Sequence, residues 1–433
     1  MDPDLHIAEL RSRLESITDE RTVEWGSVQY MLGLAIAEHP AAGERSYRES
    51  IRHYAKALRV FDADRFAEPR ARVYTSLGVA ERALGMGVIA KERFEQALAL
   101  LGDSASGPDA GAAANNLGLV YEELGDAARA VDAFRSAIAR FATAGADRQQ
   151  ASARHNLARV LAALGDHDGA MRELRAAITL TSPEGDGPLW ASHVHELATH
   201  LLLSANVSTD HTEAIRLLRE SLTVFTSAHH PFQYAMAKHN LGLAHAAMSG
   251  GDEPHHARAS LACFEDALAI FDPRLHAPQW RESHSGLEAM LERLEAAGLG
   301  RDRHGHFAHL LTEVDSESRH ALLAERLGRL WTLAEPARTA QIESFDRALV
   351  AVEGSSQELL TREWLRVLTE RRFDEADEAL AIRTASIASL DEAQRTLATL
   401  GIERALGDLE ILIRMQVRER LERFGYLRPD GVS

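Results

Sequence analysis

The feature that most restricts how this chain can fold is a repeat of fixed length. Leu77, Leu117, Leu157, Leu197 and Leu241 are each followed by a small residue (Gly78, Gly118, Ala158, Ala198, Gly242), and successive leucines lie 40, 40, 40 and 44 residues apart. Each leucine sits in an apolar helical stretch, and each stretch is followed by a second one. The second stretches carry Ala90, Phe94 and Ala97; Ala130, Phe134 and Ala137; Ala170, Leu174 and Ala177; Ala214, Leu218 and Ser221; and Ser260, Phe264 and Ala267. Offsets of four and then three put each set on one helix face. A helical pair of this size cannot bury its apolar face alone, so neighbouring pairs must stack. The small residue beside the leucine lets the two helices of a pair approach closely. The large residue of the second helix is expected to fill the space between pairs. Gly85, Gly125-Asp126, Gly165-Asp166 and Gly250-Gly251-Asp252 mark turns within pairs. Pro69, Pro108, Pro183, Pro188, Pro231, Pro273 and Pro278 mark turns between pairs, where proline stops one helix and fits the start of the next.

Composition narrows the function classes. Forty-eight basic against 65 acidic residues give a formal charge of −17, which argues against nucleic acid or an anionic membrane as partner. Only Lys56, Lys91 and Lys238 are lysines, and the single cysteine, Cys263, excludes an internal disulfide framework and a CxxC metal site. Cys263 stands between Ala262 and Phe264 on a packing helix and reads as a buried, inert thiol. No uninterrupted apolar run reaches the length of a membrane span, and the N-terminal stretch has no apolar core of a secretory signal; a cytoplasmic location is expected.

The pattern Leu117-Gly118-x2-Tyr121-x8-Ala130-x3-Phe134-x2-Ala137 resembles the tetratricopeptide repeat. The period exceeds the usual repeat of about 34 residues, as in long-period bacterial arrays. His230-Pro231-Phe232-Gln233-Tyr234-Ala235 leading into Asn240-Leu241-Gly242 is one instance of that variant. Trp25 ahead of Leu32-Gly33, and Trp280 through Leu294 with Gly286, extend the resemblance to residues 20–298. It implies an all-α fold, a right-handed α-solenoid of helical hairpins with a helical C-terminal region. The expected organisation is an N-terminal helix or cap over 1–19, the repeat array over 20–300, and a helical region over 301–433. That last region would serve as a cap, as degenerate repeats or as a dimerisation element. Its breaks at Pro336, Gly354 and Ser355-Ser356 predict helices over 303–334, 337–353, 356–372, 374–400 and 401–424.

The resemblance also implies a site. Ligands of this family bind the concave face lined by first helices, and the residue two before the motif leucine points there. That position holds Thr75, Asn115, His155, His195 and His239. Two residues after the leucine stand Val79, Leu119, Arg159, Thr199 and Leu243; Arg72 stands five before. The expected groove therefore has a histidine ladder with Arg72 and Arg159 as cationic elements. The negative excess would then lie on outer faces and loops. A protein or peptide partner is the first expectation, with no cofactor and a possible homodimer through the C-terminal helices. The family's carboxylate clamp, built on lysine and asparagine, is not carried over to a chain with so few lysines.

Catalytic motifs are wanting: the sequence has no glycine-rich phosphate loop, no GxSxG elbow and no kinase signature. His195-Glu196-x3-His200 misses the zinc-helix spacing, because residues five apart do not share a helix face. His306 and His309, three apart, are the weak metal candidates. Glu122-Glu123 could meet a basic partner or merely be solvated. Two alternatives to an adaptor stay open: a sensor whose superhelix responds to a small molecule or peptide, and a metal-dependent enzyme using the groove histidines.

Overall fold

A computed structural model describes residues 2–102, 107–203, 208–248, 253–297, 303–352 and 355–424. Among them every regular element is an α-helix. The chain divides into two compact units, Met1–Ala247 and Met248–Ser433.

In the first unit, α1 (Pro3–Ser16) begins on an Asp2 cap and packs on α2 (Val23–Ala37). Hairpins follow: α2 with α3 (Glu44–Ala57), α4 (Ala67–Ala83) with α5 (Gly87–Leu101), and α6 (Pro108–Glu123) with α7 (Ala127–Thr143). Then come α8 (Asp147–Ala163) with α9 (His167–Thr179), α10 (Pro183–Leu203) with α11 (Ser208–Ser221), and finally α12 (Pro231–Ala247). First helices also touch first helices: α4 meets α6, α6 meets α8, and α8 meets α10. The fold of this unit is thus an α-solenoid of stacked hairpins.

The Gly-Asp turns show how two residues reverse the chain. Gly125 takes φ +79°, a left-handed conformation that costs glycine little. Its N–H donates to Glu122 O and that of Asp126 to Tyr121 O, satisfying the last carbonyls of α6. The Asp126 carboxylate then accepts from Arg129 N and caps α7. Gly165 and Asp166 repeat the arrangement between α8 and α9. Pro108, Pro183, Pro231 and Pro278 stand in the first turns of α6, α10, α12 and α14 (Ala277–Ala296). Pro188 departs from expectation: it lies within α10, just past a kink at Asp186.

The small residue beside the leucine does what its position predicts. A Cβ on Gly33 would lie 2.5 Å from the Tyr54 ring, one on Gly78 2.8 Å from Phe94, and one on Gly118 2.7 Å from Phe134. Each ring therefore rests on the glycine of its own hairpin. It also reaches onward, since Phe94 joins a core cluster with Leu117 and Val120 of the next pair. The large residue fills both spaces, not only the one between hairpins. Ala158 and Ala198 occur where the second helix carries the smaller Leu174 and Leu218, and all four are fully buried.

The second unit contains α13 (Glu253–Leu268) packed on α14, with the Phe264 ring against Gly286. Seven helices follow among the described residues: α15 (Arg303–Glu313), α16 (Ser316–Leu330), α17 (Glu335–Ala351), α18 (Ser355–Thr369), α19 (Phe373–Ala388), α20 (Glu392–Gly407) and α21 (Ile411–Arg423). Of the helices expected from sequence, 303–334 is two, and 374–400 with 401–424 is three, because α20 runs unbroken through the expected boundary at 400–401. Asp315 caps α16 through Glu317 N and splits 303–334; Asp391 caps α20 through Gln394 N and splits 374–400. The chain between α20 and α21 splits 401–424. Aspartate at these turns competes for backbone N–H groups as glycine does not, so breaks without Gly or Pro escape notice.

Candidate functional site

The first helices of the first unit present one shared face, because residues five before, two before and two after the leucine are spaced by three and four. The histidine ladder lies on it, and the Nε2 atoms of His155 and His195 face polar groups of the next helix, while their Nδ1 atoms have no hydrogen-bond partner among the described residues. Two before the leucine, Asn115 Oδ1 accepts from Asn156 Nδ2 at 3.0 Å, His155 Nε2 lies 3.2 Å from Glu196 Oε2, and His195 Nε2 lies 3.3 Å from Asn240 Nδ2. Asn240 Nδ2 also donates to Thr199 Oγ1 at 2.9 Å. In each case the partner is the residue directly before the next leucine. Tyr30, two before Leu32, repeats the rung with its hydroxyl 3.2 Å from Ser76 Oγ. Thr75 instead donates to Ala71 O within its own helix. The ladder residues Asn115, His155 and His195 thus link neighbouring first helices. The signal for it was the column Ser76, Asn156, Glu196 and Asn240, polar in the same register as the column beside it.

The two groove arginines are neutralised as well. Arg72 Nε lies 2.5 Å from Asp109 Oδ2, and Arg159 Nη2 lies 2.7 Å from Glu122 Oε2. Glu123 faces Arg82 at 3.6 Å. The groove thus lacks the cationic character its arginines suggest. What it offers solvent lies two after the leucine: Val79 and Leu243 are about two-fifths exposed, and Leu119 and Thr199 are half-buried beside the exposed Arg159.

Behind this face, α8, α9 and α10 bring further histidines together. The buried His193 ring sits 5.3 Å from His155, and His167 sits 5.8 Å from His200. Burial pushes His193 and His195 down to about 4, and the neighbouring His155 and His239 act in the same direction. Burial lowers His200 too, against the pull of Glu196. These imidazoles stay neutral at pH 7. His195 faces Asn240 and His200 faces His167, so the two do not share a site. Among the described residues, no three His, Cys, Asp or Glu side chains are placed to share a metal ion. The His306 side chain and the turn 250–252 lie outside the described residues; His309 is exposed and Cys263 buried. No helix of the described residues is long and apolar enough to cross a membrane.

The tetratricopeptide repeat family model matches residues 109–181, the stretch from α6 through α9 that contains the Gly-Asp turns and the Asn115–Asn156 rung. Residues 109–181 are thus tetratricopeptide repeats. No curated protein matches it. Among solved structures it is similar to BtubC (BKLC) from P. vanneervenii, at 16% identity and a TM-score of 0.44, over 52% of this chain and 91% of that one. It is similar to a Podosopora anserina putative kinesin light chain with TPR-like repeats, at 21% identity and a TM-score of 0.37, over 46% and 94%. A third is MamA (41-end) from Desulfovibrio magneticus RS-1, at 16% identity and a TM-score of 0.34, over 46% and 94%. The tetratricopeptide fold is in general a scaffold for protein interaction. Here rungs join α2 to α4, α6 to α8, α8 to α10 and α10 to α12.

Proposed function

We propose that this protein is a non-enzymatic tetratricopeptide repeat adaptor that holds a protein or peptide along the groove lined by α4, α6, α8, α10 and α12. The observation that carries the reading is the column Val79, Leu119, Arg159, Thr199 and Leu243, exposed at Val79, Arg159 and Leu243 and backed by inter-helix rungs that favour a preformed surface. A rigid surface loses little conformational entropy on binding, which favours affinity from modest contacts. The column runs apolar at Val79 and Leu119, polar at Arg159 and Thr199, and apolar again at Leu243, so the partner would present apolar side chains toward its two ends and polar groups toward its middle.

The test is affinity purification from the native host with the intact protein and with a Val79→Asp/Arg159→Glu/Leu243→Asp variant. All three side chains are exposed, so the variant should keep its helical circular dichroism. Loss of the co-purifying partners supports the groove; an unchanged partner set overturns it. A homodimer through the C-terminal helices is part of the same reading. Ile411, Leu412 and Met415 of α21 are 72%, 76% and 64% exposed and form one apolar helix face. Converting all three to Asp should halve the mass seen by light scattering; an unchanged mass removes the dimer.

A further inference from the structure

The second unit contains a cavity of about 640 Å³ that the groove reading does not use. It is of ordinary size for a small-molecule site. One wall is a single i, i+4 row of α14: Trp280, His284, Glu288 and Glu292. The first half of that row is aromatic and the second half anionic. Trp280 and His284 stack with ring centroids 5.1 Å apart and planes within 5°, and both are buried. The opposite wall comes from α16 through Leu322, Glu325 and Arg326, and from Leu333 in the turn before α17. Phe307 of α15 forms the base, 5.8 Å from His284.

Arg326 shows what this lining does with a cation. Its guanidinium lies 4.0 Å from the Phe307 ring centroid, while Nη1 is 3.3 Å from Glu288 Oε2 and Nη2 is 3.0 Å from His304 Nδ1. A flat cation is thus held face-on by an aromatic ring and edge-on by a carboxylate, each of which favours positive charge over a neutral group. Around it the lining counts four carboxylates, Glu282, Glu288, Glu292 and Glu325, against two arginines, Arg281 and Arg326. A second cation therefore enters an acidic mouth with an apolar wall beside it, whereas an anion meets net repulsion.

We propose that this cavity binds a small organic cation, an alkylammonium or guanidinium group on an apolar body, with its charge at the Glu292 and Glu325 end and its body against Trp280 and Leu333. The cation could come from a free amine or from a basic side chain of a peptide, and the chemistry is the same. The site is separate from the groove of the first unit and stands or falls without it.

The intact protein is titrated calorimetrically, at near-physiological salt, with agmatine, with the capped tripeptide acetyl-Leu-Arg-Leu-amide, and with succinate as the anionic control. Glu292→Gln/Glu325→Gln is compared with Glu9→Gln/Glu20→Gln, which removes the same charge from exposed positions far along the chain. The expected result is one-to-one binding of at least one cation. It should weaken about tenfold or more in the cavity variant, not at all in the distant one, with no binding of succinate. Ala337→Trp, at an exposed lining position, fills the cavity and should abolish binding while leaving the melting curve unchanged. Tighter binding of the tripeptide assigns a protein source; tighter binding of agmatine assigns a free amine. Equal weakening in both double variants, binding of succinate, or no binding of either cation at millimolar concentration overturns the proposal.

Discussion

Within the first unit each helix packs chiefly on its neighbour in sequence. From α15 onward in the second unit, each packs on the helix after next: α15 on α17, α16 on α18, α17 on α19 and α18 on α20. The period nevertheless survives. Helices α17, α19 and α21 begin at 335, 373 and 411, 38 residues apart, and α16, α18 and α20 begin at 316, 355 and 392, which is 39 and 37 apart. The residues that mark the period do not survive. In the first unit the mark is a glycine under an aromatic ring. From α15 onward, among the described residues, only the charge pairs reaching across one period, which the first unit also has at Arg72–Asp109 and Arg159–Glu122, carry the period on: Arg338 with Glu378 at 2.6 Å, Arg383 with Asp346 at 2.6 Å, and His320 with Glu363 at 2.7 Å. Helix length and spacing can therefore outlast the packing code that makes them visible.

If the charge pairs replace the glycine code, removing one buried partner should be the most damaging single change in the second unit. Asp346 is 1% exposed and Arg383 2%. Arg383→Met leaves a buried carboxylate without its partner and should cost about 3–5 kcal/mol. Arg383→Met/Asp346→Leu should return to within about 1 kcal/mol of the parent, because no charge is left buried. Denaturant unfolding with segment-resolved hydrogen exchange reads both, and protection should fall around α17 and α19 while the first unit keeps its own. A cost below about 1 kcal/mol for the single variant would mean that the charge pairs do not hold these helices together.

The two units should also answer pH in opposite directions. His193 and His195 titrate near 4 when folded, against about 6.5 when unfolded, so the unfolded chain takes up protons first on acidification. The first unit should lose stability as pH falls from about 6.5 to about 4, by about 3 kcal/mol per histidine at most. Burial pushes Asp346 up to about 6, against the pull of Arg383. Here the folded state holds its proton longer, and the second unit should lose stability as pH rises from about 4 to about 6. Hydrogen exchange followed from pH 7 to pH 4 separates the two slopes. Parallel slopes would show that neither group governs its unit.

Much of the first unit was legible because its code is steric. A glycine under a ring tolerates nothing else, so Gly33, Gly78 and Gly118 stand in register with Tyr54, Phe94 and Phe134. The candidate site was less legible. The repeat register alone put His155 and His195 in equivalent places, two before the motif leucine. Residue type could not say that Glu196 and Asn240 engage them, since that depends on which column of the next helix lies within 3–3.5 Å. The acidic neighbours of Arg72 and Arg159 escaped for the same reason. The aromatic–anionic row of α14 lay in plain view at four-residue spacing, but it acquires meaning only when α15 and α16 close the cavity.

The steric code can be rewritten in place. Gly118→Ala alone drives a methyl to 2.7 Å from the Phe134 ring and should cost about 1–3 kcal/mol through overpacking. Phe134→Leu alone opens a void and should cost about as much. Together they reproduce the combination found at positions 158 and 174, so the double variant should be milder than the sum by about 1–2 kcal/mol. Strict additivity in chemical denaturation would show that the glycine and the ring do not read each other.

The smallest effects should come from the rungs, and they test whether polar contacts carry comparable weight in the two units. Asn156→Ala removes the donor to Asn115 Oδ1 between two half-buried side chains. The amide left behind can take up water, so the cost should be about 0.5–1 kcal/mol. In the second unit, Arg362→Ala removes a pair with Asp408 at 3.4 Å in which both side chains are at least 36% exposed. Screening and side-chain entropy should hold that cost to about 0–1 kcal/mol. The rung differs from the exposed pair in one respect: its loss frees one first helix to shift against the next. Asn156→Ala should therefore raise hydrogen exchange along both α6 and α8, whereas Arg362→Ala should raise it only beside the substitution. Equal, local responses would reduce the rungs from struts to surface hydrogen bonds.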